Sequence, residues 1–137
     1  MRFLCIDLGD KRSGLAVCDS GETIASPLGV IEGCNDLHNQ IIKIVQQQQA
    51  QALVFGLPLN MDGSEGDRAI VVRKFAAELA ERIKVPIFFQ DERLSSYSAT
   101  EKLSHTGLTH KKKKNRMDAI AAAEILKEFI AARRKNG

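Results

Sequence analysis

Three acidic residues stand in apolar stretches of the sequence, where an unpaired carboxylate would be costly. Asp7 follows FLCI, Glu92 closely follows IFFQ, and Asp118 lies on the apolar face of a predicted helix. A carboxylate that leaves water for a sheet interior loses several kcal/mol of hydration free energy unless a positive group meets it. Because carboxylate oxygens are the ligands that Mg²⁺ and Mn²⁺ prefer, we expect Asp7, Glu92 and Asp118 to be catalytic residues that bind such a metal.

The chemistry that such a site would support is the hydrolysis of a phosphodiester. Two divalent ions about 4 Å apart activate a water molecule and stabilise the leaving oxygen. The sequence leaves open whether one or two ions bind. It also leaves open whether Asp91, which directly precedes Glu92, is a further ligand.

Each of the three acids also has a purely structural explanation. Asp7 could pair with Lys11 or Arg12 in the loop that follows it. Glu92 could bond Arg93 or cap a helix that begins soon afterwards. The acid of the last helix lies near the start of that helix, where the helix dipole stabilises a carboxylate in any protein.

The hydrophobic pattern predicts nine elements in the order β-β-β-α-β-α-β-α-α. The expected strands cover residues 3–8, 14–19, 22–31, 52–57 and 85–90. The expected helices cover about 36–50, 65–84 and 116–134, with a short helix that ends near Gly107. This order predicts an α/β fold, in which a mixed five-stranded sheet carries helices on both faces.

The predicted topology brings the acids together. Ligands of such sheets gather at the carboxyl ends of the parallel strands. Asp7 ends the first strand, and the runs PLNMDG and DER follow the fourth and fifth strands. All three should therefore lie at one edge of the sheet.

Basic residues near these acids are candidates for binding a substrate phosphate. Lys11 and Arg12 follow Asp7, and Arg93 follows Glu92. The run HKKKKNR precedes the last predicted helix and adds Lys111, Lys112, Lys113, Lys114 and Arg116. Residues 110–137 carry a balance of +6, which leaves −3 for the rest of a chain whose total is +3. This uneven charge predicts a polyanionic partner, although a solvated loop would explain the lysines equally well.

Length and composition predict one cytoplasmic domain, residues 1–137. No apolar run approaches the length of a membrane span, and the N-terminal apolar run is too short for a signal peptide. The cysteines lack the spacing of a disulfide framework or zinc site, and two of them lie in apolar strand patterns. The three histidines show no ligand spacing and are interpreted as surface or capping residues.

Four runs of the sequence, taken in order, resemble the YqgF/RuvX family of nucleases. The runs are IDLGDKRSGLAVCD, GLPLNMDGSEG, DERLS and MDAIAAAEIL, and the resemblance covers nearly the whole chain. The family has an RNase H-like fold and is related to the RuvC Holliday junction resolvases. The resemblance implies a metal-dependent nuclease that processes the 5′ end of pre-16S ribosomal RNA. An alternative that it also implies is the resolution of Holliday junctions in branched DNA.

The resemblance assigns roles to three residues of this chain. Asp7 matches the acid of the first strand, Glu92 the acid of DER, and Asp118 the acid of the last helix. The fourth strand ends in GLP rather than in a glutamate, so a fourth acid is not evident. The sequence therefore does not identify the ligands of a second metal ion.

Two other classes of protein are considered beside the nuclease. The Asp-x-Gly of the first strand also occurs in actin-like and sugar-kinase ATPases, which need two such domains around the nucleotide. A non-catalytic RNA-binding module would use the same acids structurally, although a single tyrosine and no tryptophan argue against base stacking on an aromatic surface. The sequence does not choose between RNA and DNA, nor between a monomer and a homodimer.

Overall fold

The computed structural model describes residues 1–33, 35–92 and 110–136, and the side chains of these except for 110–116 and 136. The strands are β1 (Phe3–Asp7), β2 (Arg12–Cys18), β3 (Ala25–Glu32), β4 (Ala52–Leu57) and β5 (Ile87–Asp91). The helices are α1 (Leu37–Gln48), α2 (Asp67–Ala80) and α3 (His110–Asn136). The short helix predicted to end near Gly107 lies outside the described residues.

The strands form one five-stranded sheet in the order β3-β2-β1-β4-β5. β1, β2 and β3 are antiparallel neighbours, whereas β1, β4 and β5 run parallel. The mixed five-stranded sheet was predicted. Because β1, β4 and β5 run in the same direction, their carboxyl ends lie at one edge of the sheet, as the sequence indicated.

Helices cover both faces of the sheet, as predicted. Side chains of a strand alternate between the two faces, so each strand contributes to two cores. On one face, Leu4 and Ile6 of β1 pack with buried residues of α1 and α2. On the other face, Phe3 and Cys5 pack with buried residues of α3. Asp7 continues the second series and therefore lies on the face that α3 covers.

The last helix is longer than the sequence predicted. α3 begins at His110 rather than near residue 116, so the basic run belongs to the helix and does not form a loop before it. Lysine and arginine are good helix formers, and no glycine or proline interrupts the run, which explains the extension. Within the described residues, no helix is long and apolar enough to cross a membrane.

A glycine of β2 allows α3 to lie very close to the sheet. Gly14 pairs with Asp7 across the β1–β2 ladder. A side chain at Gly14 would collide with the backbone carbonyl of Asp118, and it would lie 3.2 Å from the backbone nitrogen of Ala119. The position therefore requires glycine because helix backbone occupies the space of a Cβ.

Replacing Gly14 with alanine should destabilise the protein by about 1–3 kcal/mol, since either the helix or the strand must move. Urea unfolding would measure the change. A matched control is Gly21→Ala in an exposed turn, where the nearest atom to a new Cβ is Oδ2 of Asp19 at 3.3 Å, a contact that a shift of a few tenths of an ångström relieves. This control should stay within about 0.5 kcal/mol of the wild type. Equal effects of the two substitutions would contradict the close approach of α3.

Candidate active site

Two carboxylates meet at the edge where the parallel strands end. Asp7 ends β1, Glu92 directly follows β5, and β4 runs between them. The two side chains hydrogen-bond to each other across β4. A side chain on Gly56 of β4 would collide with the Glu92 carboxylate and would lie 2.8 Å from Cδ1 of Ile125. Glycine at this position therefore makes the room in which the acids meet.

Burial and mutual repulsion determine how this pair titrates. The pKa of Glu92 is raised to about 9, mainly by desolvation and in second place by the charge of the nearby Asp7 carboxylate. Desolvation also raises the pKa of Asp7, although the hydrogen bond from Glu92 opposes this shift. Near neutral pH the pair therefore holds a proton, because two carboxylates in contact cannot both be ionised without a compensating charge.

One oxygen of the pair has no hydrogen-bond partner. Oε2 of Glu92 is buried and lacks a partner within the described residues. A buried acceptor left in this way costs about 1–3 kcal/mol. Two partly buried carboxylates in contact, one with an unpartnered oxygen, form a donor set that fits a hard divalent cation, which would replace the proton of the pair.

Asp118 lies near this pair, but its carboxylate forms an ion pair with the side chain of Arg12. Its charge raises the pKa of Asp7, so it lies on the same side of the sheet edge. Its Oδ2 accepts a hydrogen bond of 2.8 Å from Nε of Arg12 in an ion pair. Arg12 therefore pairs with Asp118. It does not pair with Asp7, which the sequence analysis had considered as a structural explanation for that acid. Among the side chains that the structure describes, no three of the His, Cys, Asp and Glu type are close enough to hold a metal ion.

The other predicted site residues are placed as follows. Lys11 is exposed in the loop after β1, and its backbone carbonyl accepts a 2.7 Å hydrogen bond from the nitrogen of Gly33. Asp91 ends β5 and is close enough to Glu92 to raise its pKa slightly. Arg93 and the side chains of the basic run lie outside the described parts of the chain.

The structure adds residues that the sequence analysis did not select. Gly14 and Gly56 flank Asp7 on the neighbouring strands, and a glycine inside an apolar strand was the available signal for each. Arg68, in the first turn of α2, places a positive charge that lowers the pKa of both Asp7 and Glu92. No motif marked this arginine, because α2 approaches the site only through the fold.

Comparison with solved structures identifies the class of fold. The *T. thermophilus* RuvC in complex with a Holliday junction substrate matches with a TM-score of 0.61 and 17% identity, over 98% of this chain and 96% of that chain. The fowlpox virus Holliday junction resolvase matches with a TM-score of 0.59 and 7% identity, over 96% and 99%. The chain therefore has the RNase H-like fold of RuvC-type resolvases, as the resemblance implied.

Comparison of sequences identifies the family. Residues 1–132 match the model of the RuvX family, described as Holliday junction resolvase. A *Maridesulfovibrio salexigens* protein named "Putative pre-16S rRNA nuclease" is 38% identical over 133 residues, which are 96% of this chain and 98% of that protein. A protein of the same name from *Anaeromyxobacter* is 41% identical over 136 residues, 97% and 98% of the two chains. The chain belongs to the RuvX family of nucleases, hydrolases that act on phosphodiester bonds.

Without metal, the protein should lose stability as the pH rises from about 5 to about 9. The pKa of Glu92 lies near 9 in the folded chain, against an ordinary value of 4.5, so the folded state binds more protons over this range. The loss should not exceed about 1.4 kcal/mol per pH unit for one proton. Urea midpoints in EDTA at several pH values would measure it.

Glu92→Gln should flatten this pH dependence, because glutamine does not titrate. Glu81→Gln, at an exposed position after α2, provides the matched control and should keep the wild-type slope. A stability that rises over this pH range, or an unchanged slope in Glu92→Gln, would contradict the buried carboxylate pair.

Proposed function

We propose that residues 1–137 form a single metal-dependent nuclease domain with Asp7, Glu92 and Asp118 as catalytic metal ligands. The observation that carries the proposal is the partly buried Asp7–Glu92 pair, with its unpartnered oxygen, at the carboxyl edge of the parallel strands. Mg²⁺ or Mn²⁺ bound there would supply a Lewis acid for the phosphate and an activated water. Asp118 completes the set when its carboxylate turns from Arg12 toward the pair.

The proposed substrate is the 5′ end of pre-16S ribosomal RNA, in ribosome biogenesis. The support is the name shared by relatives that are 38–41% identical over nearly the whole chain. The second candidate is a Holliday junction in DNA, which the family description and the RuvC complex favour. Both substrates present a phosphodiester to the same carboxylates, so the chemistry of the site is common to them.

Cations around the acids would hold the substrate backbone. Arg12 lies beside Asp118, and an arginine released from an ion pair can contact a phosphate with two hydrogen bonds. Lys11 lies in the same loop, and we include Arg93 because it follows Glu92 in the chain. The basic run completes the set with Lys111, Lys112, Lys113, Lys114 and Arg116.

A cytoplasmic location fits this function. Cys5 and Cys18 are buried free thiols, as is usual for proteins of a reducing compartment. Both ribosomal RNA and chromosomal DNA are found there in bacteria, from which the relatives come.

Asp7→Asn should abolish cleavage and leave the metal-free protein equally or more stable, because it removes a carboxylate that repels its acidic neighbours and that burial disfavours. Cleavage of a pre-16S RNA fragment and of a four-way DNA junction should be compared in Mg²⁺ and Mn²⁺. Asp36→Asn, the same change at an exposed site before α1, is the control and should cleave normally. A large loss of metal-free stability in Asp7→Asn would instead indicate a structural ion pair, and retained cleavage would exclude the proposed role of Asp7.

Replacing Lys111 to Lys114 with glutamine should weaken binding similarly for all sequences. Glutamine retains helix propensity, so α3 should persist. If the run neutralises three or four phosphates, wild-type affinity for a duplex should fall with salt at a slope of roughly −3, and the variant should have a flatter slope. Fluorescence anisotropy from low to moderate salt would measure both.

The control for this experiment changes four exposed lysines elsewhere to glutamine: Lys43, Lys74, Lys84 and Lys127. The two variants have the same net charge, so only the position of the lysines differs. Equal salt slopes in the two variants would show that general charge, and not the basic run, attracts the nucleic acid.

A further inference from the structure

A cleft lies beside the candidate active site, on the face of the sheet that α1 and α2 cover. Its volume is about 400 Å³, within the range of small-molecule sites. Its apolar lining comes from the loop after β1 and from the helices α1 and α2, through Leu8, Leu37, Val71, Val72 and Phe75. A site of this size and polarity fits a flat, mainly apolar group.

The cleft is connected to the active site through two short links. Leu8 and Gly9, which line it, directly follow Asp7 in the chain. Arg68 also lines it, and the charge of Arg68 acts on both carboxylates of the acid pair. A ligand in the cleft would therefore lie next to whatever group the acids bind.

Arg68 is available to a phosphate. Its Nη1 contacts Oδ2 of Asp10 at 2.9 Å, but the two side chains are 54% and 85% exposed. Exposed ion pairs of this kind contribute at most about 1 kcal/mol, so a phosphate can displace the Asp10 carboxylate. Guanidinium groups bind phosphates with two parallel hydrogen bonds, which favours this exchange.

Aromatic rings form one wall of the cleft. The ring of His38 stacks on Phe75, with centroids 4.1 Å apart and planes inclined by 24°. His38 is therefore partly buried and not the surface or capping residue that the sequence suggested. Its buried Nε2 has no hydrogen-bond partner within the described residues and lies 3.6 Å from Oε1 of Glu78. This wall of the cleft is therefore formed by stacked aromatic side chains.

We propose that this cleft binds a nucleobase of the substrate strand next to the scissile phosphate, while Arg68 contacts a phosphate adjoining that nucleotide. The inference rests on the proposed nuclease function and adds a base-binding subsite to it. Asp10 and Asp67 also line the cleft, so a phosphate is disfavoured inside it. The same carboxylates can accept hydrogen bonds from the amino groups of a base.

The first test uses isolated nucleotides in EDTA, so that neither metal nor cleavage is required. Each of the four ribonucleoside 5′-monophosphates should shift the NMR signals of the His38 ring and of the Val71 and Val72 methyl groups. Ribose 5-phosphate, which lacks the base, should leave those signals unchanged. Identical shifts with ribose 5-phosphate, or no shifts with any nucleotide at millimolar concentration, would overturn the proposal.

The second test compares two neighbouring residues of α2 that are equally exposed. Ile70 and Val71 are each 58% exposed, but only Val71 is among the residues that line the cleft. Val71→Glu should therefore obstruct the cleft, whereas Ile70→Glu adds the same charge beside it. Because both positions face solvent, both variants should fold, which circular dichroism would verify.

Binding of RNA oligonucleotides with a single abasic site, moved stepwise along the strand, provides the readout. Stacking of a base contributes about 1–3 kcal/mol, so removing the bound base should weaken wild-type binding about 5-fold to 150-fold at one position. Ile70→Glu should show the same loss, and Val71→Glu should show none. Equal sensitivity of the two variants would overturn the cleft as the site of the base.

These binding assays separate the two proposals. If the wild type cleaves neither RNA nor DNA but keeps an abasic effect that Val71→Glu removes, the cleft binds a base and the proposed catalysis is wrong. If the wild type cleaves but no position shows an abasic effect, the base-binding subsite is wrong and the nuclease stands.

Discussion

The contact between the partly buried carboxylates of Asp7 and Glu92 constrains the rest of this structure. Two carboxyl groups in contact cannot both be ionised where water is largely excluded, so the pair must hold a proton or a cation. Asp7 at the end of β1 and Glu92 just after β5 can meet only if β4, which lies between them, leaves room. Gly56 of β4 provides that room because it has no side chain. The sheet therefore lacks a side chain near the end of β4, at a cost in packing, and this brings two acids together.

The same constraint determines how α3 lies on the sheet. Gly14 lies opposite Asp7 on β2, the other neighbouring strand. Because Gly14 has no side chain, the backbone of α3 at Asp118 occupies the space that a Cβ would fill. A third carboxylate thus arrives at the edge and would add to the repulsion there. The ion pair with Arg12 offsets this charge, so the three acids can coexist without metal. Asp7 thus lies between two glycines, one admitting Glu92 and the other admitting the helix.

Much of the fold was predictable, because strand and helix periodicities are local properties of the sequence. The run ALVFGL gave β4 with the bounds that the structure has, and the order of elements defined the mixed sheet. The start of α3 was wrong because a run of lysines was interpreted from its charge and not from its helix propensity. Asp7 and Glu92 could be selected from their apolar context. Arg68 could not, since only tertiary packing brings the first turn of α2 to the acids.

The end of β1 shows why one edge of the sheet can carry both an acid site and an apolar cleft. Consecutive side chains of an extended chain point to opposite faces. Asp7 consequently lies under α3 with the other acids, while Leu8 packs with the core of α1 and α2 and lines the cleft. Two adjacent residues thus present a site for charge and a surface for apolar contact on the two sides of one edge. A polynucleotide has the same division, since its phosphates are charged and its bases are flat and largely apolar. Arg68, with contacts to the cleft and a charge that reaches both acids, lies where these two kinds of recognition meet.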